Sequence, residues 1–346
     1  MTAEGGPGFW ASYKLRLKRR RLLLRSIRSR RQLTPVVDRT DQIEPGQILA
    51  FTTLRNEAQR LPFFLAHYRR LGVGHFMVVA NDSDDGSVAM LADQPDVSLW
   101  RTDASYKASR FGVDWMTWLQ FRYGHDAWCL SVDADEILVY PHWDTRDLNA
   151  LTARLEETGA HALGAMMLDL FPKGVLGQQS YHPEQDPTEV LNWFDAAPYR
   201  VCRQTPMQNL WLQGGPRDRV FFPTRPEQAP TLNKLPLVKW NRRYTYANST
   251  HSMLPPKMNL QWDGPQVVSG DGRLSGALLH TKFLPGILER SREEKDRREH
   301  FGQPDQFDAY YDGISAAPNL WSDHALRFRD WLQLVELGLI STGGWD

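Results

Sequence analysis

WCLSVDADEILVY, residues 128–140, starts as a buried strand and then runs into Asp133, Asp135 and Glu136 where apolar residues should continue. Three carboxylates so close together on a buried strand end repel one another and lose hydration unless a cation lies between them. A divalent metal holding a diphosphate is the natural counter-charge. Upstream, short apolar runs alternate with helical patterns. ILAFTTL (48–54) reads as a first strand, and Leu61, Phe64, Leu65, Tyr68 and Leu71 recur at helical spacing before Gly72 and Gly74. HFMVVA (75–80) reads as a second strand, followed by the loop NDSDDGS and a short helix SVAMLAD; VSLW (97–100) is a third. A helix carrying Phe111, Trp115, Trp118, Leu119 and Arg122 then leads into residues 128–140, taken as the fourth strand. Such a succession predicts an α/β doubly wound domain.

Downstream, helix is expected over 148–157 and strand over ALGAMMLDLF (162–171). Residues 172–236 are rich in Pro, Gly, Asn and Trp and are expected to form loops and short strands over the sheet. ALLHTKF (277–283) reads as a late strand, 287–300 as a charged surface helix and 320–340 as a terminal amphipathic helix with Trp321, Phe328, Trp331, Leu332 and Val335. No internal repeat is visible.

The whole chain has 346 residues, 41% apolar and 24% charged, which fits a soluble globular protein and excludes disordered and collagen-like classes. Two cysteines, Cys129 and Cys202, suit neither a disulfide framework nor a four-ligand zinc site, and point to a reducing, cytoplasmic compartment. The 41 basic and 41 acidic residues cancel only in sum. Residues 14–31 hold ten cations and no acid, which leaves a net charge of −9 from Gln32 onward. No stretch has the roughly 18 apolar residues of a membrane span, and Leu22–Leu24 are too few for a signal-peptide core. The basic arm has two readings: a disordered solvated tail, or a peripheral contact with an anionic membrane at its inner face. Nucleic acid is not expected as a partner, since no recognition motif follows and an acidic body resists a polyanion.

In an open α/β sheet, ligands bind beyond the carboxyl ends of the strands. The first strand delivers Arg55, Asn56 and Glu57 there, the second Asn81, Asp82, Ser83, Asp84 and Asp85, and the fourth Asp133, Asp135 and Glu136. NDSDDGS also suits a turn that caps a helix, and the bland and functional readings both stand at this point.

In this order, RNE, NDSDDGS, the tryptophan helix and VDADE resemble the glycosyltransferase family 2 type of GT-A fold, in its bacterial branch, over residues 47–141. GGPRDRVFF, KLPLVKW, STH and LLHTKF are similar, more loosely, to family 92 and related glycan transferases. The resemblance implies a Rossmann-like, mostly parallel central sheet flanked by helices, with irregular acceptor-side insertions and a helical carboxyl end. It divides the chain into a basic arm (1–46), a transferase domain (47–285) and a helical extension (286–346). It implies transfer of a sugar from a nucleotide-sugar, UDP-sugar by family frequency, to the hydroxyl of a glycan, lipid-linked or small-molecule acceptor. Arg55, Asn56, Glu57, Asn81, Asp82 and Ser83 would hold base and ribose. Asp133 and Asp135 would form the DxD that carries Mn2+ or Mg2+, with His280 completing the metal shell and Lys282 on the diphosphate. Glu136, His251, Arg217 and a base-stacking Tyr106 are further candidates. An inverting reaction needs a base for the acceptor hydroxyl. The family's paired acidic motif has no clear copy here, so Asp169 and Asp218 rank first, ahead of Asp195. A catalytically silent carbohydrate- or nucleotide-binding protein on the same fold is the alternative from another class.

Overall fold

Apolar residues fill both faces of the first expected strand, and the computed structural model, which describes residues 8–265, 272–297 and 304–346, buries both. Nine strands form one sheet among these residues: β1 (Thr34–Val37), β2 (Ile48–Leu54), β3 (Val73–Asn81), β4 (Val97–Thr102), β5 (Trp128–Ser131), β6 (Glu136–Val139), β7 (Ala162–Asp169), β8 (Asn233–Lys239) and β9 (Ser275–His280). Their spatial order is β1-β4-β3-β2-β5-β8-β7-β9-β6. β4, β3, β2 and β5 are mutually parallel, and β7 with β9 shares their direction across the antiparallel β8, so six of the nine point one way. The protein is thus α/β with a large, mainly parallel central sheet.

Alternate residues of β2 enter separate cores. Ile48, Ala50 and Leu54 join Leu61, Phe64, Leu65 and Tyr68 of helix α2 (Leu61–Arg70) and Leu148, Leu151 and Leu155 of a helix over Leu148–Glu157. Leu49 and Phe51 join Trp115 and Leu119 of a helix over Val113–Tyr123 on the other face. Each such buried side chain contributes about 1.5–3 kcal/mol relative to exposure. The close approach of Val113–Tyr123 to β2 depends on Gly112, at φ 75°, where a Cβ would stand 2.8 Å from the Thr53 side chain.

Four expectations are corrected. Residues 128–140 are two strands, because the chain turns at the acids: β5 lies beside β2 in mid-sheet, and β6 is the far edge, antiparallel to β9. Within the supposedly irregular 172–236, β8 begins at Asn233 and runs through the middle of the sheet despite Pro236, which sits where its pairing to β7 slips between Lys234 and Leu237. The terminal helix is reduced to Trp331–Glu336, capped by Asp330, while Ala325–Arg327 pairs with Trp193–Asp195 and a helix not foreseen spans Pro304–Ser315. The disordered reading of the arm also fails. Phe9–Ser29 is a helix docked on Val113–Tyr123, and β1 joins the sheet. Of the charged helix expected over 287–300, Ile287–Arg297 is helical and 298–300 lie outside the described residues.

Candidate functional site

Chain order along the sheet reverses at β2, with β3 and β4 to one side and β5 to the other, so the crevice above the carboxyl ends of β2 and β5 is the topological switch point. The loops there are locked to each other. Asn56 and Asp84 exchange hydrogen bonds, Asn56 Nδ2 to Asp84 Oδ1 at 2.8 Å and Asp84 N–H to Asn56 Oδ1 at 2.9 Å. Ser83 Oγ accepts the Asn56 N–H, Ser87 Oγ accepts the Glu57 N–H, and Asp85 accepts the Ala58 N–H. Most of NDSDDGS therefore frames the loop after β2. Asn81 is the exception in facing the cavity, its amide nitrogen anchored to the Thr102 and Ala104 carbonyls.

The acids after β5 diverge. Glu136 donates its N–H to the Asp133 carbonyl, closing a turn, and its carboxylate accepts the Asp133 N–H. Buried Lys234, from β8, stands 2.9 Å from Glu136 and 3.2 Å from Asp133, so the counter-charge for these two acids is a lysine of the chain. Burial pushes the Glu136 carboxyl up to about 7 against the pull of Lys234. Asp135 instead meets His280. The register of β9 sets His280 between Glu136 and Asp169, and the Thr281 N–H and hydroxyl hold the Asp135 carbonyl.

His280 Nε2 lies 3.2 Å from Asp135 Oδ2 and Nδ1 2.6 Å from Asp169 Oδ1. Arg217 Nε donates to the other Asp169 oxygen at 2.7 Å. Burial opposes ionisation of Asp135, but His280 beside it holds the carboxyl far below the usual range. Asp169 is likewise held at about 2 despite its burial, by Arg217 and His280. Burial works against the His280 charge, and the two aspartates raise its pKa nonetheless.

A cavity of about 320 Å³ gathers Arg55, Asn56, Glu57, Asn81, Tyr106, Asp133, Asp135, His280 and Lys282 from the sequence candidates. Asp82, Ser83, Glu136, Asp169, Arg217, Asp218 and His251 are not on its wall. Both Asp169 oxygens are engaged and its side chain is fully buried, while Arg200 grips both oxygens of Asp218, so neither offers a free base. Asp195 is paired with Arg219. His251 is half-buried outside the cavity and bonded to the Asn233 carbonyl, its pKa lowered to about 3 by desolvation and by Lys234. Lys282 extends over the Tyr310 ring at 5.0 Å and the Tyr311 ring at 5.8 Å, and no carboxylate among the described residues pairs with it.

The supposed carboxyl extension belongs to the site. Helix Ile287–Arg297 sends Arg290 to both Glu57 oxygens and to the Asn56 carbonyl, and places Ser291 and Glu293 on the cavity wall. Sequence reasoning missed Arg60, which is buried, binds Glu57 at 2.7 Å and donates to the Thr281 carbonyl, and it assigned no role to Lys234 in holding the acids after β5. Burial pushes the Glu57 carboxyl up to about 7 against Arg60. The signals were present: Glu57 and Arg60 are spaced i,i+3 at a helix entry, and Lys234 is a lone cation opening an apolar run.

The donors suit a divalent cation in part. Asp135 and His280 converge, and Asp169 behind His280 supplies the partner that fixes a ligating imidazole. Among the described residues no group of three metal-binding side chains is assembled, because Asp133 is drawn to Lys234. Two protein ligands, with phosphate oxygens and water in the remaining positions, fit Mg2+ or Mn2+.

No protein-family model matches the sequence, and no curated protein does. Solved structures resemble it loosely. A 4-diphosphocytidyl-2C-methyl-D-erythritol synthase is 18% identical at a TM-score of 0.25, covering 39% of this chain and 67% of its own. A UDP-glucose pyrophosphorylase complexed with UDP-glucose is 9% identical at 0.28, covering 73% and 99%. A UTP-bound UGPase from Acinetobacter baumannii is 11% identical at 0.28, covering 76% and 97%. At such scores the likenesses do not bear on activity, which rests on the chain's own residues.

Proposed function

We propose that the protein is a divalent-metal-dependent glycosyltransferase that takes a sugar from a nucleoside-diphosphate donor, with UDP-sugar the first to test. The observation that carries this reading is the convergence, at the switch point of the sheet, of the Asp135 and His280 pair with the Lys282 ammonium in one nucleotide-sized cavity. A diphosphate needs cations that can approach it, and Lys282 lines the cavity with no ion pair to a carboxylate among the described residues. Arg55, Asn81 and the Asn56–Glu57 loop line the cavity where base and ribose would lie, and Tyr106, on the same wall, is the candidate for stacking on the base. A metal bound by Asp135 and His280 would neutralise charge developing on the departing diphosphate. The chain's own part is to orient the donor, hold the imidazole through Asp169 and close the cavity with helix Ile287–Arg297. The proton acceptor for the acceptor hydroxyl is not assigned to Asp169 or Asp218, whose oxygens are occupied.

Calorimetry with UDP, GDP, CDP and dTDP, each with and without Mn2+, tests the reading. One diphosphate is expected to bind at least about tenfold tighter with metal, and Asp135→Asn to lose that metal-dependent gain while staying folded. Absence of binding by every nucleotide, or an unchanged metal effect in Asp135→Asn, counts against it. Transfer assays with the matching nucleotide-sugar then separate an enzyme from a silent binding protein.

A further inference from the structure

The amino-terminal helix, here α1 (Phe9–Ser29), presents a face that the cavity does not use. One side is spoken for. Leu15, Ser26 and Ser29 are buried against Val113–Tyr123; Ser26 Oγ donates to Asp114, Arg25 binds Asp114 and the Ala108 carbonyl, and Gln32 just beyond accepts the Trp115 indole N–H. At 3.6 residues per turn, Trp10, Tyr13, Leu17 and Leu24 fall on the opposite side as one stripe. Arg16 and Arg20 border it on one flank, Lys14, Arg21 and Arg28 on the other. Five of the ten exposed large apolar side chains among the described residues are on this helix, with Trp10 72% and Leu24 54% exposed. Docking of the inner side prevents the helix from rolling the stripe inward.

We propose that the outward face of α1 lies on the surface of an anionic lipid bilayer, with the stripe at the headgroup and acyl boundary and the flanking cations on lipid phosphates. An exposed apolar and aromatic stripe between two rows of arginine and lysine is the arrangement an interfacial helix requires. The stripe supplies burial, and each cation adds about 1 kcal/mol near such a surface. A nucleic acid would use the cations but not the stripe, and the net charge of −9 from Gln32 onward would repel it. A second copy of the chain would set two rows of like charge against each other. The proposal does not depend on the nucleotide reading.

Cosedimentation of the full chain with vesicles tests it, comparing phosphatidylcholine alone with phosphatidylcholine containing about one third phosphatidylglycerol, each at about 0.1 M and about 0.5 M salt. Pelleting is expected with the anionic vesicles, little with the neutral ones, and less at the higher salt. Trp10→Ser, Leu17→Ser and Leu24→Ser together are expected to weaken binding by about tenfold or more with the thermal midpoint unchanged. Arg16→Gln, Arg20→Gln and Arg21→Gln together are expected to weaken it and flatten its salt dependence, which keeps the test decisive if the first variant folds poorly. Equal pelleting on neutral vesicles, or none on either, overturns the proposal. So does tighter binding to a duplex oligonucleotide that the apolar variant leaves intact, or a dimer in sedimentation velocity that the apolar variant dissolves.

Discussion

Asp169 is the residue whose role changes most between sequence and structure. As an acid at the end of an apolar strand it suits a catalytic base, yet it is fully buried with one oxygen on His280 and the other on Arg217. Under the proposed function it is a positioning residue for His280, and its replacement has two separable consequences. Asp169→Asn leaves the Arg217 guanidinium buried without its counter-ion, which should destabilise the fold by about 3–5 kcal/mol. It also frees the imidazole that stands beside Asp135, so metal-dependent nucleotide affinity should fall about 10–100-fold, the range for loss of an outer-shell partner. Urea midpoints read the first effect, and calorimetry well below the variant's transition reads the second. If Asp169 were only structural, the nucleotide affinity of the folded variant would match that of the parent.

At the scale of elements, the turn between β5 and β6 depends on a third strand. β8 brings Lys234 to Asp133 and Glu136, so the carboxylates that seemed to require a metal are held largely by the chain itself. Lys234→Met should therefore strand a buried Glu136 and cost about 3–5 kcal/mol, and Mn2+ should raise the midpoint of this variant more than that of the parent, since an ion that binds only the folded state stabilises it. A loss under about 1 kcal/mol would show that Lys234 does not hold the turn. The same turn marks where the sequence was legible. The strands and helices from Ile48 to Thr102 follow the expected pattern because both faces of each strand are apolar and the punctuation is unambiguous. Residues 128–140 were misread as one strand because Val132 and Ile137 keep the apolar pattern going on either side of the turn. β8 was hidden by Pro236, which ordinarily excludes a central strand. The convergence of Asp135, His280, Asp169 and Arg217 could not be read at all, since it arises from the register of β9 between β6 and β7 and from a short π-helical turn, Arg217–Phe221, that begins 48 residues beyond Asp169.

Over the whole molecule, buried ionisable groups pull stability in opposite directions with pH. Burial, aided by Arg70, lowers the His67 pKa to about 3; the ring stacks on Phe63, and Nδ1 accepts from Arg70 at 3.2 Å. His251 is lowered to about 3 as well. Unfolded histidine titrates near about 6.5, so between about 6.5 and 3 the unfolded chain binds more protons at these sites. Their contribution is complete above 6.5 and declines as pH falls, by about 1.4 kcal/mol per pH unit for each. Glu57 and Glu136, pushed up to about 7 from 4.5, act with the opposite sign: the folded state takes up their protons first, which offsets the histidines over part of the same window. The contributions of these four groups should therefore offset one another between about pH 6.5 and 4.5, and below it the loss from the two histidines is no longer compensated by the two glutamates. His67→Phe keeps an aromatic ring in the stack and removes one titrating group, so subtraction of the two profiles isolates it. Urea midpoints at closely spaced pH values should show the variant gaining on the parent by about 1.4 kcal/mol per pH unit below 6.5. Parallel profiles would mean that His67 is protonated in the folded protein.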